Sequence, residues 1–135
     1  MSGVAEAEFE ESEPGSPTLV ITKLSCSLRG VEQEVSLTPE TLAAEAYGVE
    51  RATEKFLCNY GLNNAFRDRI FSHGLRVAGT DAEGNVRIAE LTAHPFFMGT
   101  LFVPQLRSEP GKPHPLIVAF VRAAADFSVN RRAGA

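Results

Sequence analysis

Two cysteines, Cys26 and Cys58, and three histidines, His73, His94 and His114, are the side chains with which this chain could run nucleophilic chemistry. A thiol attacks as its thiolate, so it needs a base to take the proton and a third group to orient that base. Cys58, in Phe56-Leu57-Cys58-Asn59-Tyr60, is the candidate nucleophile of a hydrolase or transferase, with His73 or His94 as base. A free cysteine in an apolar stretch more commonly packs as a small hydrophobe. Reactivity would need an electropositive and accessible setting. His94, ahead of Pro95 and Phe96, reads as a turn-fixing residue. His114, between two prolines, reads as a loop or helix-start residue. His73 falls near a helix C-terminus, where the dipole favours it. The histidines lack paired spacing and no Cys-x-x-Cys occurs, so neither a metal nor another cofactor is expected. Gly79-Thr80-Asp81 lacks the lysine and glycine spacing of a phosphate loop and reads as a turn.

The bulk numbers bound the rest. A chain of 135 residues suits one domain rather than two, and 44% hydrophobic with 22% charged residues is ordinary for a globular protein. A formal charge of −4 argues against a nucleic-acid surface, and the one tight basic pair, Arg131-Arg132, reads as solvated tail. No apolar run approaches the roughly 20 residues of a membrane helix, and no signal peptide is visible. The cytoplasm, with both thiols reduced, is the expected compartment.

Along the chain, residues 1–18 carry Glu6, Glu8, Glu10, Glu11 and Glu13 before Pro14-Gly15-Ser16-Pro17 and read as an acidic mobile arm. The structured domain is expected over 19–130, with 131–135 a tail. Thr18 to Thr22 is a β-branched strand run, and Leu28 to Leu37 a strand or hairpin arm. A helix is expected from Thr38-Pro39 through Tyr47, capped by Thr38 and ended by Gly48. Phe56 to Tyr60 reads as a strand. Asn63 or Asn64 caps a second helix to about His73, with Phe66 and Ile70 on one face. Leu75–Gly79 and Val86–Leu91 alternate around Asp81-Ala82-Glu83-Gly84-Asn85, which predicts a hairpin. His94 to Phe97 is a turn, Met98 to Val103 a strand buried on both faces, and 107–115 a loop. A last helix starts near Pro115, with Leu116, Phe120 and Ala124 on one stripe. Strands alternating with helices around a hairpin predict an α/β fold with a mixed sheet.

Several of these segments together resemble a known family. Gly74 to Thr80, Glu90-Leu91, His94-Pro95-Phe96-Phe97, Phe102-x-Pro104 and Pro113-His114-Pro115-Leu116 through Phe120 resemble the end of CTP synthases. More narrowly, they resemble the C-terminal half of the class I glutamine amidotransferase domain. Thr41 to Gly48, Glu54 to Asn64 with Arg67-Asp68-Arg69, and even Glu8 to Pro17 extend the resemblance over most of the chain. It is most similar to a stand-alone, CTP-synthase-like group. The fold this implies is part of a flavodoxin-like three-layer α/β architecture, and the setting is pyrimidine nucleotide metabolism.

The resemblance also carries a chemical expectation. The family's base and its orienting acid come from a Phe-His-Pro-Glu segment, and here Val103 stands at the histidine position and Gln105 at the glutamate position. Valine has no proton-accepting atom and glutamine carries no charge. The family's nucleophile lies on a Gly-rich elbow ahead of the matched region, and neither Cys26 nor Cys58 follows such an elbow. The family's His/Arg-rich pocket strand is here Phe56-Leu57-Cys58-Asn59, while Tyr60 and Asn63 match and could keep the pocket's shape. The resemblance therefore implies neither a glutaminase nor a CTP synthase by itself, but a degenerate binding or interaction module. In the family this half packs on an upstream half. A homodimer or another protein partner is therefore expected on an open apolar face, and a subunit or piece of a longer amidotransferase is the remaining alternative.

Overall fold

The computed structural model describes residues 4–133. Two sheets are formed. The first, ordered β1-β2-β5, joins β1 (Glu8–Phe9), β2 (Leu19–Lys23) and β5 (Tyr60–Leu62). It is mixed: β1 runs parallel to β2, and β5 runs antiparallel to it. The second, ordered β4-β3-β6-β7-β8, joins β3 (Val31–Leu37), β4 (Arg51–Phe56), β6 (Leu75–Thr80), β7 (Val86–Leu91) and β8 (Met98–Thr100), all antiparallel. Three helices complete the α/β fold: α1 (Leu42–Tyr47), α2 (Arg67–Ile70) and α3 (Pro115–Ala133).

One face of the five-stranded sheet makes the core. Val35, Phe56, Ala78 and Ile88 point from it against Ala43 of α1, Leu116 of α3 and Phe102. Burial of such side chains stabilises by about 1.5–3 kcal/mol for each large one. Gly79 belongs to this packing. A Cβ there would lie 2.9 Å from Val35 Cγ1 and 3.0 Å from Ile88 Cδ1, and the β6–β7 register shifts at the same place. Two carboxylates share the core face: Glu54 is two residues from Phe56 on β4, and Glu90 two residues from Ile88 on β7. Alternation along a strand puts each on the apolar side.

The β6–β7 hairpin forms as its alternation predicts. Asp81 closes its turn, accepting from the N–H groups of Glu83 at 3.1 Å and Asn85 at 2.8 Å. Elsewhere the backbone departs from expectation. The cap of α1 is Thr41 rather than Thr38: Thr41 Oγ1 accepts from Ala44 N–H at 3.1 Å and donates to the Thr38 carbonyl at 2.6 Å. The Glu90 carboxylate then takes the N–H groups of Leu42 and Ala43, a cap supplied by another strand. The strand expected at Phe56–Tyr60 divides: β4 ends at Phe56, β5 begins at Tyr60, and residues 57–59 turn between the two sheets. The helix capped by Asn63 is a 3-10 turn followed by α2, which stops at Ile70. β8 is the outermost strand and only partly buried, not a strand buried on both faces. Residues 8–13, read as a mobile arm, lie along β2: Glu8 N–H donates to Thr18 O and Glu10 N–H to Ile21 O, both at 3.0 Å. Edge pairing with β2 gives that polar stretch a backbone partner that composition does not reveal. Of the expected tail at 131–135, residues 131–133 continue α3 and 134–135 lie outside the described residues.

Candidate functional site

Three places in the fold gather polar side chains. In the first, β4, α1 and the start of α3 converge. Tyr47 donates to Glu54 Oε1 at 2.6 Å, and His114 Nε2 lies 2.9 Å from the same oxygen. Glu54 and His114 are each 2% exposed. The protonation of His114 follows from its other nitrogen. Nδ1 accepts the N–H of Leu116 at 3.2 Å, so the ring proton sits on Nε2 and is donated to Glu54. Both ring nitrogens are thereby engaged, and neither can act as a base without breaking the start of α3. Burial, together with the hydrogen bond to Glu54, pushes the Tyr47 hydroxyl far above its ordinary range. This cluster is therefore a lock between elements, and Tyr47 remains a donor at any physiological pH.

In the second place, Arg87 Nε and Nη2 donate to Asp81 Oδ2 at 3.0 and 2.6 Å, with both side chains buried. The guanidinium also sits 5.6 Å from the centre of the Phe56 ring. Burial alone would raise the Asp81 carboxyl, but hydrogen bonds from Asn85 and Arg87 and the Arg87 charge outweigh it and hold the group below its ordinary range. In the third, Arg76 Nε donates to Glu90 Oε1 at 2.7 Å beside the two α1 amides. Asp81 and Glu90 are thus engaged through both carboxylate oxygens, whereas Glu54 is engaged through Oε1.

The residues singled out for chemistry are distributed differently. Cys58 is half-buried in an open groove of about 430 Å³, beside Leu57, Asn59, Tyr60, Phe9 and Leu101. His73 is exposed, with Nδ1 2.7 Å from Ser72 Oγ and 3.3 Å from the Arg69 carbonyl. His94 is exposed too, takes the Phe96 N–H on Nδ1 at 3.2 Å and stands edge-on to Phe97. Neither histidine lines the groove that holds Cys58. Val103 donates its backbone N–H to the Lys55 carbonyl at 3.2 Å, closing the free edge of β4. Gln105 is exposed on the 3-10 turn at Pro104–Arg107, and lines an apolar cleft with Phe96, Leu116 and Phe120 rather than the Cys58 groove. Tyr60 packs edge-on against Phe9 with centroids 5.0 Å apart. Asn63 donates to the Leu19 carbonyl at 2.9 Å and accepts from Ala65 N–H at 3.0 Å, tying β2 to the 3-10 turn. Among the described residues, no group of His, Cys, Asp or Glu could hold a metal ion. No helix among them is long and apolar enough to cross a membrane.

Glu54, Tyr47 and Glu90 escaped the sequence reading. The available signal was that Glu54 shares a strand face with Ala52 and Phe56, where a carboxylate must find a partner.

Similarity to known proteins follows this geometry. The chain is 38% identical to a CTP synthase of Mycobacterium leprae over 141 residues, covering 93% of the chain and 24% of that protein. It is 35% identical to a CTP synthase of Mycolicibacterium smegmatis over 146 residues, covering 96% and 25%. The chain thus spans about a quarter of the length of these relatives. The glutaminase domain of Trypanosoma brucei CTPS, solved with bound acivicin, superposes with a TM-score of 0.83 at 23% identity, over 90% of this chain and 51% of that one. That likeness establishes the fold. No family model matches the chain.

Proposed function

We propose that this chain, similar to CTP synthases over about a quarter of their length and to a CTPS glutaminase domain in fold, keeps that fold as a binding and interaction module and has given up glutamine hydrolysis. The observation that carries this reading is the state of Val103 and Gln105. At the position of a general base stands a side chain with no proton acceptor, and its backbone serves to close the edge of β4. At the position of the orienting acid stands an exposed amide. The groove at Cys58 contains no histidine, so a thiol there lacks an activating base.

What the fold offers instead is apolar surface. Phe120 and Phe127, two turns apart on one face of α3, are 55% and 58% exposed and line a shallow cleft with Pro95, Phe96, Ala123 and Ala124. Such a stripe fits a second copy of the chain or another protein laid against α3. The coverage of the relatives supports a second reading, in which the chain works as one portion of a longer amidotransferase and the remainder covers this stripe.

Restoring Val103→His with Gln105→Glu tests the loss of catalysis. The expected result is no glutamine-dependent ammonia release. Turnover by that variant would overturn the reading. Sedimentation of the chain alone and with Phe120→Ser/Phe127→Ser tests association. Concentration-dependent association that the substitutions abolish is expected, and monomeric behaviour with no retained partner would count against it.

A further inference from the structure

The cleft beside Glu54 plays no part in that reading and is independent of it. Its volume is about 300 Å³, and its wall changes character from outside to inside. Arg51, Lys55, Arg107 and Lys112 line it as cations, with Glu109 the one further carboxylate besides Glu54. Arg51 pairs with Glu34 at 3.2 Å, while Lys55 and Arg107 reach Glu32 at 3.5 and 3.8 Å. These are solvent-exposed pairs that a ligand can reopen at small cost. Lys112 is exposed and has no ion pair among the described residues. Val49, Leu106, Pro113 and Pro115 supply apolar wall between them.

The inner end is Glu54. Its Oε1 is taken by Tyr47 and His114, whereas Oε2 is buried with no hydrogen-bond partner among the described residues. A buried acceptor left unmade is costly, and each one in a native fold calls for a reason. A bare anion drawn to the cations would meet this carboxylate, and a bare amine drawn to Glu54 would have to pass a wall where four cations outnumber Glu109. Only a molecule carrying both charges satisfies the two ends.

We propose that this cleft binds a small zwitterion, with its ammonium group donating to Glu54, its anionic group held by Arg107 and Lys112, and a short apolar spacer between. Guanidinium and ammonium groups accept a carboxylate or a phosphate equally in kind. The shared chemistry is therefore an aminoalkyl anion. Isothermal titration of the full chain with 4-aminobutyrate, 6-aminohexanoate and phosphoethanolamine tests it, with hexanoate and hexylamine as one-ended controls. At least one zwitterion should bind about tenfold or more tightly than either control. Stronger binding by phosphoethanolamine assigns the anionic end to a phosphate, and the reverse ranking assigns it to a carboxylate; either supports the site. Arg107→Ala/Lys112→Ala should weaken that binding about tenfold at an unchanged melting temperature, since both residues are on the surface. Glu54→Gln, if folded, should erase the preference for the zwitterion over hexanoate. Zwitterions that bind no better than the controls, or that bind the double variant undiminished, would overturn the proposal.

Discussion

The two ends of α3 are built on opposite principles. At its start, His114 caps the helix, locks onto Glu54 and Tyr47, and leads into Leu116, which is 5% exposed in the core. From Phe120 to Arg131 every residue except Ala123 is exposed, including two phenylalanines. That stretch continues for about 20 Å of helix. The first end is held by this chain's own hydrogen bonds and packing. The second is regular in backbone and meets the rest of this chain where Phe120 lies against Phe96, with ring centroids 5.7 Å apart. Its exposed apolar side chains are the basis of the proposed interaction role.

Substitutions can break or sharpen this contrast. The largest effect is expected away from α3's exposed end, at Asp81→Ala, which leaves the buried Arg87 without its carboxylate. Removal of one partner of a buried pair costs about 3–5 kcal/mol, read by urea unfolding. The same residue gives a pH signature. Its folded-state carboxyl is held below the ordinary value of 3.8, so its contribution is complete above that pH and fades as pH falls through and beneath it. Asp81→Asn should flatten that acid limb. His114→Ala follows, at about 3 kcal/mol, because it removes the α3 cap and one partner of buried Glu54 together. Gly79→Ala should cost about 1–3 kcal/mol by crowding Val35 and Ile88. Phe120→Ser/Phe127→Ser is expected to change unfolding stability by no more than about 0.5 kcal/mol at each site while abolishing association. A large loss of stability in the monomer would show that the exposed end is self-supporting after all.

The parts of this architecture legible in the sequence are those specified locally. The β6–β7 hairpin needs only period-two alternation and the turn at Asp81–Asn85, and both are contiguous. The Gly48 stop of α1 likewise rests on one residue in the left-handed region, with φ at 67°. The true start of α1 was hidden because Glu90, 47 residues beyond Ala43, supplies half of its cap. β4 was hidden because Arg51, Thr53 and Lys55 face outward and the inward face carries a glutamate, so the strand lacks an apolar signature. The buried position of Glu54 makes sense only once Tyr47 and His114 are beside it in space. The resemblance singles out Val103 and Gln105, but the edge-closing contact of Val103 with Lys55 was not legible, since it is a backbone bond between distant segments.

The most direct test is glutamine hydrolysis by the purified chain, with ammonia release followed alongside Cys58→Ala. Both proteins are expected to stay at the level of buffer alone, because the groove around Cys58, although Arg29 and Glu11 line it, holds no histidine to take the thiol proton. Ammonia release by the chain that disappears in Cys58→Ala would contradict it.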